Sequence, residues 1–128
     1  MSNTAITPSL EDYIEVIYSL GEARDPVRLT DISSALEVTK ASVSRAVKTL
    51  KEEGLIEHER YGTLMLTPLG LSKAKEVAHR HRLFKQFLTR SLGLSEEVAE
   101  LDACRIEHVV SPQTVAALEK WLGEEYEI

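Results

Sequence analysis

Apolar residues recur three and four positions apart along almost the whole chain, and this helical rhythm breaks once into a period of two. Leu55 to Glu59 and Thr63 to Thr67 alternate in period two around Arg60-Tyr61-Gly62, which is the pattern of a hairpin. A single hairpin set into a run of helices leaves too few strand segments for a β-sandwich. The aromatic content of 5% points the same way. The fold class expected is mainly α, with one small hairpin.

The helices are punctuated by their own caps. Ser9 with Asp12 three residues later is a capping box, and Leu10, Tyr13, Ile14, Ile17 and Tyr18 then share one face. Gly21 to Arg28, with Asp25-Pro26, reads as a break. Thr30 is the expected cap of a short helix that turns Ile32, Ala35 and Leu36 inward. Thr39 caps the next helix, which buries Val43, Ala46, Val47 and Leu50 and exposes Ser42, Arg45, Lys48 and Thr49. Gly54 ends it. Pro68 suits the first turn of a long amphipathic helix running to about Ser91. Helices from Ser95 to Val110 and from Ser111-Pro112 onwards follow.

Two short helices, a tight turn, a basic helix and a hairpin, in that order, make a winged helix-turn-helix. The N-terminal domain is expected over residues 1–70, and a helical domain over 71–128. With 128 residues, 43% hydrophobic and 28% charged, the chain has an ordinary globular composition. No apolar run approaches the roughly 18 residues that a membrane span needs. No basic segment leads into an apolar one at the start, and the one cysteine fits a reducing compartment. The expectation is a cytoplasmic protein with no membrane partner.

The net charge of −6 hides an asymmetry that matters for nucleic acid. Lys40, Arg45, Lys48 and Lys51 lie between Thr39 and Lys51 with no acid among them. Nine acids face two bases from Gly93 to Ile128. A phosphate ligand feels the local field more than the total charge. A helix with a basic outer face and small hydroxyl side chains near its start fits the DNA major groove, while Lys48, Lys51 and Arg60 suit phosphate contacts. The competing reading is a three-helix unit used for protein contacts.

A second chemistry lies in the C-terminal half. Cys104, Glu107 and His108 stand at i, i+3 and i+4, so one helix face would present a thiol, a carboxylate and an imidazole. Asp12 and Glu15 form an i, i+3 acid pair on the first helix, and His79 and His81 lie on the long one. Such residues also serve as solvated or buried structural groups.

The segment Thr7-Pro8-Ser9-Leu10-Glu11-Asp12-Tyr13-Ile14-Glu15 resembles the opening of the manganese transport regulators. Ala103-Cys104-Arg105-Ile106-Glu107-His108-Val109 resembles the Cys-x-x-Glu-His segment of the diphtheria toxin repressor family. His79-Arg80-His81-Arg82-Leu83 is similar to that family's segment around a ligand histidine, which maps onto His81. The likeness runs from about Thr7 to Trp121.

That resemblance implies a homodimeric, metal-activated transcriptional regulator, not an enzyme, acting as a repressor of metal-uptake genes. It implies metal ligands at Asp12, Glu15, His81, Cys104, Glu107 and His108, for one or two ions of Fe²⁺ or Mn²⁺ per subunit. It places Thr39, Ala41, Ser42 and Arg45 on the segment that recognises a palindromic double-stranded DNA operator. No small organic substrate is implied. Ala41 replaces a proline of the iron-dependent members and Arg45 a glutamine. Lys85 stands where those members have a glutamate ligand, and Glu100 where they have a histidine. Those members also carry an SH3-like domain, which is not expected in this short form. In the resemblance, a divalent cation ties helix one to the dimer unit and favours recognition helices about 34 Å apart. The rival is a metal-independent redox or interaction module with Cys104 as sensor thiol. No His-Glu-x-x-His pattern supports a catalytic metal. Oxygen ligands suit both ions, and the soft Cys104 thiolate tips the preference towards Fe²⁺.

Overall fold

The computed structural model describes residues 9–23, 26–58 and 62–126. The chain divides into two compact units, Met1–Lys75 and Glu76–Ile128.

The first unit contains α1 (Leu10–Ala23), β1 (Val27–Arg28), α2 (Leu29–Leu36), α3 (Lys40–Glu52), β2 (Ile56–His58), β3 (Thr63–Leu66) and the start of α4 (Pro68–Gln86). The capping box at the start of α1 forms as its sequence predicts. Asp12 N donates to Ser9 Oγ at 3.1 Å, and Ser9 N donates to Asp12 Oδ2 at 2.8 Å. Tyr13, Ile14 and Ile17 then fill the core beside Ile32, Val43, Val47, Leu50, Ile56 and Leu64. Each such side chain contributes about 1.5–3 kcal/mol by leaving water.

The start of α2 differs from expectation. The helix begins at Leu29, so Thr30 lies inside it and is not its cap. The cause is β1, which the sequence reading took as part of a break. Val27 pairs with Leu64 and Arg28 with Thr63, giving a three-stranded antiparallel sheet of order β1-β3-β2. Held extended by that pairing, Arg28 becomes the cap residue, and its N–H donates to Asp31 Oδ2 at 3.0 Å. Ala35 is exposed rather than inward. Helix α3 has the expected cap and core: Thr39 caps it, Val43, Ala46, Val47 and Leu50 are buried, and Arg45 and Lys48 are exposed, while Ser42 and Thr49 are half-buried.

The hairpin strands pair as Ile56 with Leu66 and His58 with Leu64; of the residues expected to turn between them, Arg60 and Tyr61 lie outside those described, and Gly62 has φ 74°. Thr67 ties the hairpin down. Its hydroxyl donates to Gly54 O at 2.6 Å and accepts Gly70 N–H at 3.0 Å, which caps α4. Gly54 has φ 77°, the left-handed conformation that lets the chain leave α3 and enter β2.

In the second unit α4 passes into a π-helical turn over Phe87–Ser91, followed by α5 (Glu96–Ile106) and α6 (Pro112–Tyr126). Phe84, Leu88, Ala99 and Ala103 form its core, with Ile106, Val110 and Leu118 packed against them. Phe87 and Trp121 meet edge to face with centroids 5.7 Å apart. Ser95, the expected start of this helix, caps α5 by accepting Val98 N–H at 3.2 Å. The helix stops at Ile106 instead of Val110, because residues 107–109 form a turn. Among the described residues no helix is long and apolar enough to cross a membrane.

Gly70 is where α4 comes closest to the hairpin. A β-carbon there would collide with the backbone carbonyl of Leu55, which cannot swing aside. Gly70→Ala should therefore lower stability by about 1–3 kcal/mol, the cost of overpacking a close contact. Urea unfolding checks this; an unchanged midpoint would show that α4 can shift.

Candidate metal centre and nucleic-acid interface

The turn after α5 puts Glu107 inside the protein. It has 0% exposure and is the largest polar side chain so enclosed. An isolated carboxylate in that position costs several kcal/mol, so its partners decide whether the fold tolerates it. Arg80 of α4 steadies the backbone, with Nε donating to Glu107 O at 2.8 Å and Nη1 to Glu76 Oε1 at 2.8 Å. His81, one residue on, places Nδ1 2.6 Å from Glu107 Oε1. Its Nε2 lies 3.0 Å from Glu100 Oε1 on α5.

With a carboxylate oxygen against each ring nitrogen, both nitrogens carry protons, and the ring is an imidazolium. The hydrogen bond to Glu107 is the main cause of a pKa raised to about 9; burial opposes it, and Glu100 adds to it. Burial pushes the Glu100 carboxyl up, but hydrogen bonds from His81 and Lys85 together hold it below its usual value. Lys85 Nζ lies 3.1 Å from Glu100 and 3.4 Å from Glu96, so its ammonium occupies that carboxylate pair.

The other oxygen of Glu107 is different. Among the described residues no hydrogen bond reaches Oε2. His108 Nε2 stands 3.4 Å from it, within ion-pair reach but not in hydrogen-bonding geometry. Cys104, a free and half-buried thiol on the last turn of α5, completes the cluster. Ligand atoms of His81, Cys104 and Glu107 all lie within 4.8 Å of one another. Thiolate, imidazole and carboxylate are ligands for a divalent transition metal. An orphaned, buried carboxylate oxygen beside them fits a cation.

Of the residues named from the sequence, the structure thus gathers His81, Cys104 and Glu107, with His108 alongside. Asp12 and Glu15 stand half-buried on α1 in the other unit, with carboxylate oxygens within 4.8 Å of each other. Asp12 also serves the α1 cap. Arg80 and its hold on Glu107 were not foreseen. The only sequence signal was its i, i+4 spacing from Glu76. His79, the other histidine of that segment, pairs instead with Glu119 of α6.

On the first unit, Ala41, Arg45 and Lys48 are exposed along α3, with Thr39 at its cap and Ser42 half-buried. Burial raises the Tyr13 phenol on α1, and the Arg45 cation opposes it, so the charge of Arg45 is felt back at the core. Arg60 lies outside the described residues.

The His81 shift has a sign that can be measured. A raised histidine pKa stabilises the metal-free protein fully below pH 6.5 and loses that contribution as pH rises through about 9. Loading a metal requires the same proton to leave, so apparent metal affinity should climb across that window. Urea midpoints and metal titrations from pH 6 to 9.5 check both trends. Affinity flat with pH would mean that His81 is not a ligand.

Residues 5–64 match the family described as iron dependent repressor, N-terminal DNA binding domain, and residues 67–125 its metal binding and dimerisation domain. The HTH-type transcriptional regulator MntR of Geobacillus kaustophilus is 43% identical over 105 residues, covering 82% of this chain and 74% of the relative. That of Bacillus subtilis is 42% identical over 105 residues, covering 82% and 73%. The solved manganese regulator SloR superposes with a TM-score of 0.83 at 31% identity, over 92% of this chain and 55% of that one. IdeR of T. acidophilum gives 0.82 at 27% identity, over 93% and 56%. The chain spans about half the length of these solved chains. It belongs to the iron-dependent repressor family of metal-dependent transcriptional regulators.

Proposed function

We propose that this chain binds double-stranded DNA as a homodimer in the cytoplasm, in response to Fe²⁺ or Mn²⁺, and represses genes for metal uptake. Residues 1–70 form the DNA-binding domain in this reading, and residues 71–128 the domain that binds metal and dimerises. The observation that carries it is the buried Glu107 carboxylate, bonded on one oxygen, unbonded on the other, and converging with His81 and Cys104.

A divalent cation bound there would supply the positive charge that Glu107 Oε2 lacks. On loading, His81 would give up a ring proton and Cys104 would contribute as a thiolate. Arg80 holds the Glu107 backbone throughout, so the carboxylate need not move far. His108 stands next to the free oxygen. By resemblance, Asp12 and Glu15 of α1 supply further carboxylate ligands, so that loading couples the DNA-binding unit to the other. Loading then shifts the population towards the DNA-competent form by differential affinity.

Arg45 is the residue for base reading, since a guanidinium matches the two acceptors of a guanine. Thr39, Ala41 and Ser42 lie on the same exposed stretch, and Lys48 and Arg60 suit phosphates. Leu94, Val98 and Leu101 are exposed apolar side chains on the C-terminal unit, and a second copy covering them accounts for their exposure. A palindromic operator follows from two-fold symmetry.

The metal is decided by competing ligand preferences. The names of the manganese regulator SloR and of a manganese-dependent transcriptional repressor in complex with manganese speak for Mn²⁺. The thiolate of Cys104 strengthens Fe²⁺ relative to Mn²⁺.

The test is anaerobic gel shift on the protein's own promoter DNA, titrated with each ion. Glu107→Ala should abolish metal-stimulated binding, and Asp12→Ala should weaken it while leaving the dimer intact. Metal-responsive binding by Glu107→Ala would remove the sensor assignment. A wild-type protein indifferent to both ions would remove the whole reading.

A further inference from the structure

The side chains at the exposed start of α3 are bonded to one another. Thr39 Oγ1 accepts the backbone N–H of Ser42 at 3.1 Å and donates its own proton to Ser42 Oγ at 3.0 Å. Arg45 Nη2 donates to that same oxygen at 3.3 Å. At the next turn, Thr49 Oγ1 donates to Arg45 O at 3.2 Å. The guanidinium of an exposed arginine is thereby tethered before any ligand arrives.

A serine hydroxyl can accept two hydrogen bonds and donate one. Thr39 and Arg45 take both acceptor positions of Ser42, which leaves its O–H as a donor only. Arg45 has no acceptor at all. The exposed edge of α3 therefore offers donors and nothing else at these two positions.

We propose that Ser42 is the positioning residue for Arg45, and that the pair forms a donor-only edge selecting guanine at one position of each half-site. This rests on the reading that α3 enters the major groove. Guanine presents two acceptors there, N7 and O6, whereas adenine and cytosine each present an amino donor. Facing this edge, such an amino group meets no acceptor and loses its hydrogen bond to water. Thymine offers a single acceptor. A tethered arginine also gives up less freedom on contact than a free one, so removal of the tether weakens discrimination more than overall attraction.

The variants are chosen to keep the helix folded. Ser42→Ala retains the backbone N–H that Thr39 caps, and alanine favours the helix. Ser42→Thr restores the oxygen. Full-length wild-type protein and the Ser42→Ala, Ser42→Thr and Arg45→Ala variants are each used, with Mn²⁺, to select from a randomised duplex library. Binding to the selected and to random duplexes is then compared.

The wild type should enrich a guanine in each half-site, and Arg45→Ala should lose that enrichment. Ser42→Ala should reduce the preference for guanine over adenine at that position about fivefold or more, within the range for a bidentate contact. Its loss of affinity for random duplex should be smaller than its loss of the guanine preference, and Ser42→Thr should recover the preference. If Arg45→Ala loses the guanine while Ser42→Ala keeps it, or Ser42→Thr fails to recover it, the positioning role is overturned and the DNA-reading helix stands. If the wild type binds a selected duplex but enriches no guanine, the donor edge is overturned and the groove reading stands; if it binds no duplex with either Mn²⁺ or Fe²⁺, both fall together.

Discussion

One buried carboxylate organises the C-terminal unit. Glu107 is wholly enclosed, and its burial is tolerable because the groups around it meet half of its needs. Arg80 holds its backbone carbonyl, and His81 as an imidazolium satisfies Oε1. The remaining oxygen has no hydrogen bond among the described residues. A fully satisfied network would gain little by exchanging a proton for a cation, and a wholly unsatisfied one would not fold around the charge. A half-satisfied state is the one that would respond to a metal. Glu100 and Lys85 extend the network outward, where the Lys85 ammonium already balances its carboxylates. That arrangement favours one ion in this unit, centred on Glu107, rather than a second at Glu100.

The DNA-binding unit shows the same reliance on order set before binding. Its hairpin is pinned by Thr67, whose hydroxyl donates to Gly54 O after α3 and whose backbone N–H donates to Leu55 O at 3.1 Å. Its helix α3 starts at a capping threonine, from which hydrogen bonds run to Ser42 and on to Arg45. The donors that would meet base edges are tied to the element that positions the helix.

Local signals were legible, and long-range ones were not. The Ser9–Asp12 box, the Thr39 cap, the start of α5 at Ser95 and the buried face of α3 each depend on residues within a turn or two, and each appears as its pattern predicts. The β1 strand escaped because two residues carry no period; only pairing with β3, more than thirty positions away, makes Val27 and Arg28 extended. That pairing also displaced the α2 cap from Thr30 to Arg28. The end of α5 was misjudged for a similar reason, since the apolar spacing continues through Val110 while the backbone turns at Glu107. At the candidate metal cluster, residue types and family segments pointed to Asp12, Glu15, His81, Cys104, Glu107 and His108, of which His81, Cys104 and Glu107 come together in the C-terminal unit. Neither could reveal that Arg80 anchors Glu107 or that Glu100 bonds the far side of His81, because those contacts join separate helices.

The central claim is that Glu107, His81 and Cys104 share one cation, and Co²⁺ reports on it directly. A thiolate bound to Co²⁺ gives a charge-transfer absorption that oxygen and nitrogen ligands do not. Anaerobic titration of the metal-free protein should produce that band, saturating at about one ion per chain if this unit holds a single centre. The band should vanish in Cys104→Ser and weaken or disappear in Glu107→Ala. Tight binding of Co²⁺ with no thiolate band, or a band indifferent to loss of Glu107, would contradict the account.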